Sequence, residues 1–378
     1  MMWGTKWIVS ICFNEGGAVM LFEKFKQGIN LGGFLSQYEI VADLSSEETK
    51  KKHFETFIQE QDIQKIAQWG FDHVRIPMDG YLFFDRKKQG LKEEPLAYLD
   101  RCLGWCETHH LNAVLDLHNF WGHEFGKMQE PTALMTDDSI RADYCRYWEC
   151  LAEHFSGYHK VELLFELFNE IADATDYRWN QLYKETVKRI RAVDETRWIL
   201  VGSNDVNSVG YLKCLDLLDD PYVFYNFHYY EPNAFTHQQA HFSEEFCTFK
   251  HPLSYPGDMR KYQQFLSEHP KYRMEHSMLT PDKTCNDYEL MKTLMKHAEK
   301  FVTYSDRELY CGEFGVIDSA SEDEAVKWLH DFVQLCNELH IGHAMWNYKC
   351  LDFELVDETG AVVRPKVLEE MKRLNGRA

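Results

Sequence analysis

The feature that most restricts the fold of this sequence is an alternation of short apolar runs with longer amphipathic segments. The apolar runs have the composition of strands, and we predict strands over 27–33, 72–77, 112–118, 161–170, 197–203, 222–230, 307–315 and 342–349. Between them apolar residues recur at helical spacing, which predicts helices over 56–69, 96–109, 139–154, 177–193, 288–301, 321–340 and 365–375. Eight strands alternating with helices predict an α/β fold, a closed (β/α)₈ TIM barrel.

An open, doubly wound sheet is the alternative fold, but no G-x-G-x-x-G motif follows the first strand. The segment 233–287 is too long for an ordinary loop between a strand and a helix. It is rich in His, Phe, Tyr and Pro, and we interpret it as an inserted subdomain after strand six. We expect residues 20–378 to form one barrel domain that includes this insertion.

The N-terminus and the cysteines bear on location. The apolar run at 7–13 is too short to span a membrane and has no small-residue cleavage site after it. We interpret residues 1–19 as a non-native or disordered extension, with Met20 as the start. The 11 scattered cysteines form no paired CxxC motifs, which predicts no zinc site and favours a reducing cytoplasm, with secretion by another route as the alternative.

The charge of the chain restricts its partners. There are 61 acidic and 41 basic residues, giving a formal net charge of −20. Nucleic acids and anionic membranes are bound through basic patches, so we expect neither partner. We expect a monomer.

Polar residues stand at the predicted C-terminal ends of the strands, where barrel enzymes place their active sites. These residues are Asn30, Arg75, His118, Asn169, Glu170, His228, Tyr230, Glu313 and Trp346. Paired carboxylates such as Glu170 and Glu313, facing each other across a cavity, are what glycoside hydrolysis requires. Gly312 and Gly315 flank Glu313, and we expect them to let its backbone approach a sugar ring closely.

The neighbours of the two carboxylates suggest how their protonation could differ. Arg75 and the Tyr230 hydroxyl are expected to stabilise an ionised Glu313, whose charge then keeps Glu170 protonated. Glu166 faces inward like Glu170 but lies lower in the same strand. We therefore predict that Glu166 is a structural carboxylate paired with an arginine.

The motifs NLGG, VRIP, LDLH, FNE, FHYY, CGEFG and WNY occur in this order. Together they resemble family 5 of the glycoside hydrolases, and within it the endoglucanase C type, over residues 28–372. This resemblance implies a retaining barrel enzyme with Glu170 as the acid/base and Glu313 as the nucleophile. It implies that His228 holds the acid/base, and that Tyr230 and Arg75 hold the nucleophile.

The same resemblance implies the contacts of the sugar bound at the cleavage point. Asn169 would bond its 2-hydroxyl, His118 would line the same subsite, and Trp346 would be the platform under the ring. After His118 the chain reads NFWGHEFG, whereas the related type has a second histidine and a short Gly/Pro loop. The contacts on this side stay open, and the candidate residues for further subsites are Phe120, Trp121 and Trp179.

The expected mechanism is double displacement, with the two carboxyl groups about 5–5.5 Å apart and no metal or organic cofactor. The expected substrates are cellulosic and mixed-linkage β-glucans or their oligosaccharides, cleaved at β-1,4 bonds. A β-mannanase and an exo-β-1,3-glucanase are the enzymatic alternatives, because the same site residues serve them. A carbohydrate-binding protein on a degenerate barrel is the alternative without catalysis.

Overall fold

The computed structural model of the protein describes residues 21–124 and 132–376, and its central element is a closed barrel of eight parallel strands. The strands are β1 (Gln27–Asn30), β2 (His73–Asp79), β3 (Asn112–Asn119), β4 (Leu163–Glu166), β5 (Trp198–Gly202), β6 (Val223–Tyr229), β7 (Leu309–Phe314) and β8 (Gly342–Met345). Each strand pairs with its neighbours in the chain, and Ile29 of β1 lies opposite Met345 of β8 to close the barrel. The predicted TIM barrel is confirmed, while the predicted extension over 1–19 lies outside the described residues.

Helices cover the outside of the barrel. The longer ones are Glu47–Thr56, Glu60–Gln68, Glu93–His109, Asp138–His154, Asp176–Arg191, Arg260–Glu268, Lys296–Ser305, Glu322–Glu338 and Pro365–Leu374. Short helical segments are Leu21–Lys24, Tyr38–Val41, Gly80–Phe83, Ala133–Thr136, Val209–Cys214, Asn233–Thr236, Glu244–Thr248, Pro270–Glu275 and Tyr288–Leu294, while Asn204–Asn207 forms a left-handed turn. No helix within residues 21–124 and 132–376 has the length and apolar character needed to cross a bilayer.

The fourth strand is shorter than predicted. It ends at Glu166, whereas the apolar run suggested a strand through residue 170. Leu167 and Asn169 each still bond a neighbouring strand, with their N–H groups 3.0 Å from Leu200 O and 2.9 Å from Leu117 O. The backbone then turns at residue 170, so Asn169 and the following glutamate lie on the loop after β4.

The barrel interior changes from apolar to polar along the strands. On β6, Phe224 belongs to an apolar interior cluster, and the next inward positions are Asn226 and His228. The outward Tyr229 stacks on Phe332 of an outer helix, with ring centroids 4.9 Å apart. This alternation places His228 inside the barrel and Tyr229 on its outer face.

The N-terminal end of the barrel is closed by apolar side chains. Leu21 and Phe25, which precede β1, pack in one cluster with Leu164, Leu200 and other inward residues. The Phe25 ring lies 5.8 Å from the ring of Trp198. Apolar side chains thus fill most of this end, and the polar layer around Arg75 lies above them, toward the C-terminal end of the strands.

The segment 233–287 after β6 has secondary structure of its own. It contains four helices and a two-stranded antiparallel ribbon, Gly257–Asp258 with Cys285–Asn286. Phe249, Tyr262 and Phe265 pack against one another inside it. The Ile317 N–H donates to Thr236 O at 2.9 Å, which joins the start of the segment to the loop after β7. The segment therefore borders the C-terminal end of the barrel.

Candidate active site

Arg75 of β2 is the centre of the polar layer. It is fully buried, and Nε and Nη2 donate to the two oxygens of Glu166 at 2.6 and 2.9 Å. Nη1 donates to Asn30 Oδ1 at 2.9 Å and to Glu313 Oε1 at 2.7 Å, and Nη2 also donates to Asn169 Oδ1 at 2.9 Å. These contacts agree with the predicted pairing of Glu166 with an arginine, and they fix one positive charge beneath the strand ends.

A second chain of contacts runs from Arg75 along β3 to the wall of the site. Asp116 Oδ2 lies 3.0 Å from Arg75 Nη2 and 2.8 Å from His118 Nδ1. The His118 ring is parallel to the Trp346 ring, with centroids 5.9 Å apart. Burial lowers the pKa of His118 to about 4, so this ring is neutral at neutral pH.

Glu313 lies on β7 with both carboxylate oxygens occupied. Arg75 donates to Oε1, and the Tyr230 hydroxyl donates to Oε2 at 3.0 Å. Burial raises the pKa of Glu313, while the positive charge of Arg75 and the hydrogen bond from Tyr230 lower it. The predicted contacts of Arg75 and Tyr230 with Glu313 are therefore present.

The glycine before Glu313 packs closely against β6. The Gly312 N–H donates to Asn226 Oδ1 at 2.8 Å, and the register between β6 and β7 shifts between Cys311 and Glu313. A Cβ at Gly312 would lie 2.9 Å from Asn226 Nδ2. Gly312 thus allows close packing of β7 on an inward side chain of β6.

Glu170 occupies a strained position on the loop after β4. Its φ of 46° is in the left-handed region, which is uncommon for residues other than glycine. His123 Nε2 donates to the Glu170 carbonyl at 3.1 Å, and the Val206 N–H donates to the Ile171 carbonyl at 3.0 Å. His228 Nδ1 lies 2.9 Å from Glu170 Oε1, so the predicted contact between these two residues is present.

The pKa of Glu170 is raised well above its usual range. Burial is the largest cause and the negative charge of Glu313 is the second, whereas the sequence reasoning named only the charge. The Glu313 pKa is raised less, because Arg75 and Tyr230 favour its ionised form. The geometry therefore separates a protonated Glu170 from an ionised Glu313.

The two carboxyl groups lie close together. One oxygen of Glu170, one oxygen of Glu313 and one ring nitrogen of His228 all lie within 4.8 Å of one another. Such a group has the spacing of metal ligands, but Arg75 already places a buried positive charge 2.7 Å from Glu313. The arrangement matches a proton donor beside a carboxylate nucleophile.

Two supporting residues, Asn226 and His123, were not predicted from the sequence. Asn226 donates to Glu166 Oε1 at 2.8 Å, and its inward position two residues before His228 was the available signal. His123 supplies a second histidine five residues after His118. A tight turn delivers it, because Gly122 has a φ of 82° and the residues on either side of the turn exchange backbone hydrogen bonds.

Two of the three aromatic residues proposed for further subsites are wrong. Phe120 has no exposed surface and packs against Tyr144 of an outer helix. Trp179 is 1% exposed, and its Nε1 donates to Gly202 O at 2.8 Å. Trp121 is partly exposed beneath the Arg86 guanidinium, 5.3 Å from the ring centroid, so its subsite role stays a prediction.

The family follows from comparison with known proteins. The family model for cellulase, glycosyl hydrolase family 5, matches residues 37–350. The chain belongs to this family. It is 40% identical over 352 residues to endoglucanase C of Acetivibrio thermocellus, covering 92% of this chain and 98% of that protein. The resemblance to the family and to the endoglucanase C type is confirmed.

Two further similarities cover most of this cellulase-family chain. Cellodextrinase A of Ruminococcus flavefaciens is 32% identical over 303 residues, which span 80% of this chain and 79% of that protein. The crystal structure of endoglucanase Cel5A from Thermotoga maritima covers 93% of this chain and 99% of its own, with a TM-score of 0.70 and 21% identity. The structural likeness supports the fold.

Proposed function

We propose that the protein is a retaining endo-β-1,4-glucanase in which Glu313 is the nucleophile and Glu170 is the acid/base. The observation that carries this proposal is the buried carboxyl pair, in which one oxygen of Glu170 lies within 4.8 Å of one oxygen of Glu313. Retaining glycosidases keep their two carboxyl groups about 5–5.5 Å apart, whereas inverting enzymes leave roughly 6.5–9.5 Å for a water molecule. Membership of the cellulase family supports the same chemistry.

In the first step the Glu313 carboxylate attacks the anomeric carbon while the bond to the leaving oxygen breaks. Glu170 gives its proton to that oxygen, and a covalent glycosyl ester forms on Glu313. Glu170, now ionised, then takes a proton from water as the water oxygen attacks the anomeric carbon and releases Glu313. Two displacements at one carbon retain its configuration.

The neighbouring side chains fit this sequence of steps. Arg75 and Tyr230 hold the two oxygens of Glu313 and favour the carboxylate that attacks. Asn169 accepts from Arg75 through Oδ1, which leaves its amide N–H groups to donate to the sugar 2-hydroxyl. His118 and Trp346 form the wall assigned to the sugar at the cleavage point.

The substrate assignment rests on the curated relatives. An endoglucanase and a cellodextrinase each share at least 30% identity with most of this chain. Their names support β-1,4-glucan polymers and the corresponding oligosaccharides as substrates of this protein. A β-mannanase or an exo-β-1,3-glucanase would use the same carboxyl pair. Substrates must therefore decide between these activities.

The decisive experiment is reducing-sugar release and product analysis on barley β-glucan, carboxymethylcellulose, glucomannan and laminarin. Oligosaccharides from the first two substrates, absent with Glu313→Ala and retained with the exposed control Glu358→Ala, are expected. Proton NMR should show the β-anomer as the first product. Release only from glucomannan or laminarin would contradict the proposed substrate and support one of the alternative activities. An initial α-anomer would overturn the retaining mechanism.

We also propose a cytoplasmic monomer acting on imported oligosaccharides. The ten cysteines of the described residues are free thiols, several of them buried, which suits a reducing compartment. Cell fractionation with an antibody and light scattering after gel filtration test the two parts separately. Enzyme found in the culture medium, or a dimer mass, would contradict the corresponding part.

A further inference from the structure

The loop after β5 contains a left-handed turn that the proposed mechanism has not used. Asp205, Val206 and Asn207 have φ values of 55°, 53° and 56°. Non-glycine residues rarely adopt this conformation, and a β-branched valine does so least readily. Such strain persists where the surroundings require it. Here the turn brings the buried Asn207 side chain to His228, with Nδ2 3.1 Å from Nε2.

The orientation of the Asn207 amide is tied to Gly202. Asn207 Oδ1 lies against this glycine, since a Cβ at residue 202 would come within 2.3 Å of it. No hydrogen bond reaches that oxygen from the described part of the chain. A reversed amide would turn its N–H groups toward the Gly202 Cα hydrogens, and buried donors are left unpaired less often than buried carbonyl oxygens. Asn207 therefore donates to His228 Nε2.

We infer that Asn207 is a positioning residue that fixes the tautomer of His228 and thereby the oxygen of Glu170 that carries the acidic proton. A neutral imidazole has one N–H, and a ring that accepts at Nε2 carries its proton on Nδ1. That Nδ1–H, 2.9 Å from Glu170 Oε1, donates to it. The proton of Glu170 then belongs on Oε2, available to the leaving oxygen.

The opposite tautomer would have the opposite effect on the acid. Its Nδ1 would be an acceptor, and the proton of Glu170 would be held in a hydrogen bond to His228 instead of facing the substrate. The ring is neutral in either case, because burial and the charge of Arg75 lower the pKa of His228 well below its usual value. The hydrogen bond from Asn207 thus determines whether the Glu170 proton faces the leaving oxygen or is held in a hydrogen bond to His228.

The tautomer can be measured without any activity. In protein labelled with ¹⁵N-histidine, long-range ¹H–¹⁵N spectra distinguish protonated from unprotonated ring nitrogens, and a His228→Gln variant identifies the signals. We expect a protonated Nδ1 and an unprotonated Nε2 in the wild type, and a mixture of tautomers in Asn207→Ala. A protonated Nε2 in the wild type would overturn the inference.

The consequence for catalysis rests on the proposed function and is tested by the leaving group. Asn207→Asp replaces the donor by an acceptor of the same size. For phenyl β-cellobioside, whose departure needs the acid, kcat/KM should fall on the order of 10²-fold. For 2,4-dinitrophenyl β-cellobioside, whose departure needs no proton, the change should stay below about threefold.

Two controls separate the possible outcomes. Glu170→Gln should show the same dependence of kcat/KM on the leaving group. Asp205→Asn is an isosteric change at an exposed position of the same turn, and it should leave kcat/KM on both cellobiosides unchanged. Equal losses on both substrates in Asn207→Asp would mean a merely structural role and would overturn the inference. A wild-type protein inactive on both cellobiosides would contradict the proposed function, while the NMR result would still decide the tautomer. If Asn207→Asp does not fold, Asn207→Ala and the wild-type spectrum decide.

Discussion

Glu170 and Glu313 are the same residue type at similar burial, 9% and 6% exposed, yet the protein holds them differently. Both oxygens of Glu313 accept hydrogen bonds, one of them from the charged Arg75. Glu170 faces a neutral His228. Burial raises both pKa values, so the charge and hydrogen bonding of the partners, more than the depth of burial, distinguish the proposed acid from the proposed nucleophile.

The two backbones also differ. Glu313 lies on a strand beside a bulge, and its position needs only the small Gly312 against β6. Glu170 lies on a loop at a φ of 46°, and donors from two other loops, His123 and Val206, hold the carbonyls at and after it. Glu313, the proposed nucleophile, is therefore positioned by the sheet, whereas Glu170, the proposed acid, is positioned by contacts between loops.

Removing the nucleophile should have the largest effect. Glu313→Gln keeps the size of the side chain but cannot form the glycosyl ester, so kcat on β-glucan should fall on the order of 10⁴-fold or more. Reducing-sugar assays measure this, with Glu358→Gln as the exposed control. Activity within about tenfold of the wild type would show that another residue is the nucleophile.

Removing the acid should have a smaller, substrate-dependent effect. Glu170→Gln cannot protonate the leaving oxygen, so we expect a loss of about 10²–10⁴-fold in kcat/KM on β-glucan. Stopped-flow measurement on 2,4-dinitrophenyl β-cellobioside should show a much smaller loss in forming the covalent intermediate. Equal losses on the two substrates would mean that Glu170 is not the acid.

The pH profile sharpens the same comparison. Glu170 must be protonated to act, so activity is present below its raised pKa and is lost as the pH rises through it. Glu313 must be ionised, so activity is lost as the pH falls through the lower pKa of the pair. In Glu170→Gln, assayed on the dinitrophenyl substrate, the alkaline decline should disappear. An unchanged alkaline decline would assign it to another group.

The sequence was a good guide to residues positioned by the sheet. The C-terminal ends of parallel strands meet at one end of a barrel, and this geometry alone predicted that Arg75, His118, His228 and Glu313 lie together. Tyr230 comes directly after β6, and its predicted contact with Glu313 rests on the same placement at the strand ends.

Features set by contacts between loops could not be read from the sequence. The left-handed conformations at Glu170 and Val206 are held by partners distant in the chain, and no local propensity of Glu or Val favours them. Residue type alone also misassigned Trp179, whose place on the inner face of its helix beside Tyr183 makes it a core residue. The same aromatic residue types occur in sugar-binding sites and in hydrophobic cores, so residue type does not tell the two apart.

Tyr230→Phe should weaken the nucleophile without removing it. It deletes the hydroxyl that donates to Glu313 Oε2 at 3.0 Å, and hydrogen bonds to charged groups contribute about 1.5–3 kcal/mol, or about 10–150-fold in rate. Since this bond lowers the pKa of Glu313, its loss should move the acidic decline of the pH–rate profile to higher pH. An acidic decline at the wild-type position would show that the hydroxyl does not stabilise the carboxylate.

Removal of the hydroxyl of the preceding residue, Tyr229, should have the smallest effect on activity and provides the matched control for Tyr230→Phe. Tyr229 points away from the site, its ring stacks on Phe332, and its buried hydroxyl has no hydrogen-bond partner in the described residues. Tyr229→Phe keeps the stack and removes an unsatisfied polar group, so the free energy of unfolding in urea should rise by about 1 kcal/mol, with activity unchanged. A loss of activity like that of Tyr230→Phe would mean that the two faces of β6 are wrongly assigned, because only an inward hydroxyl can reach Glu313.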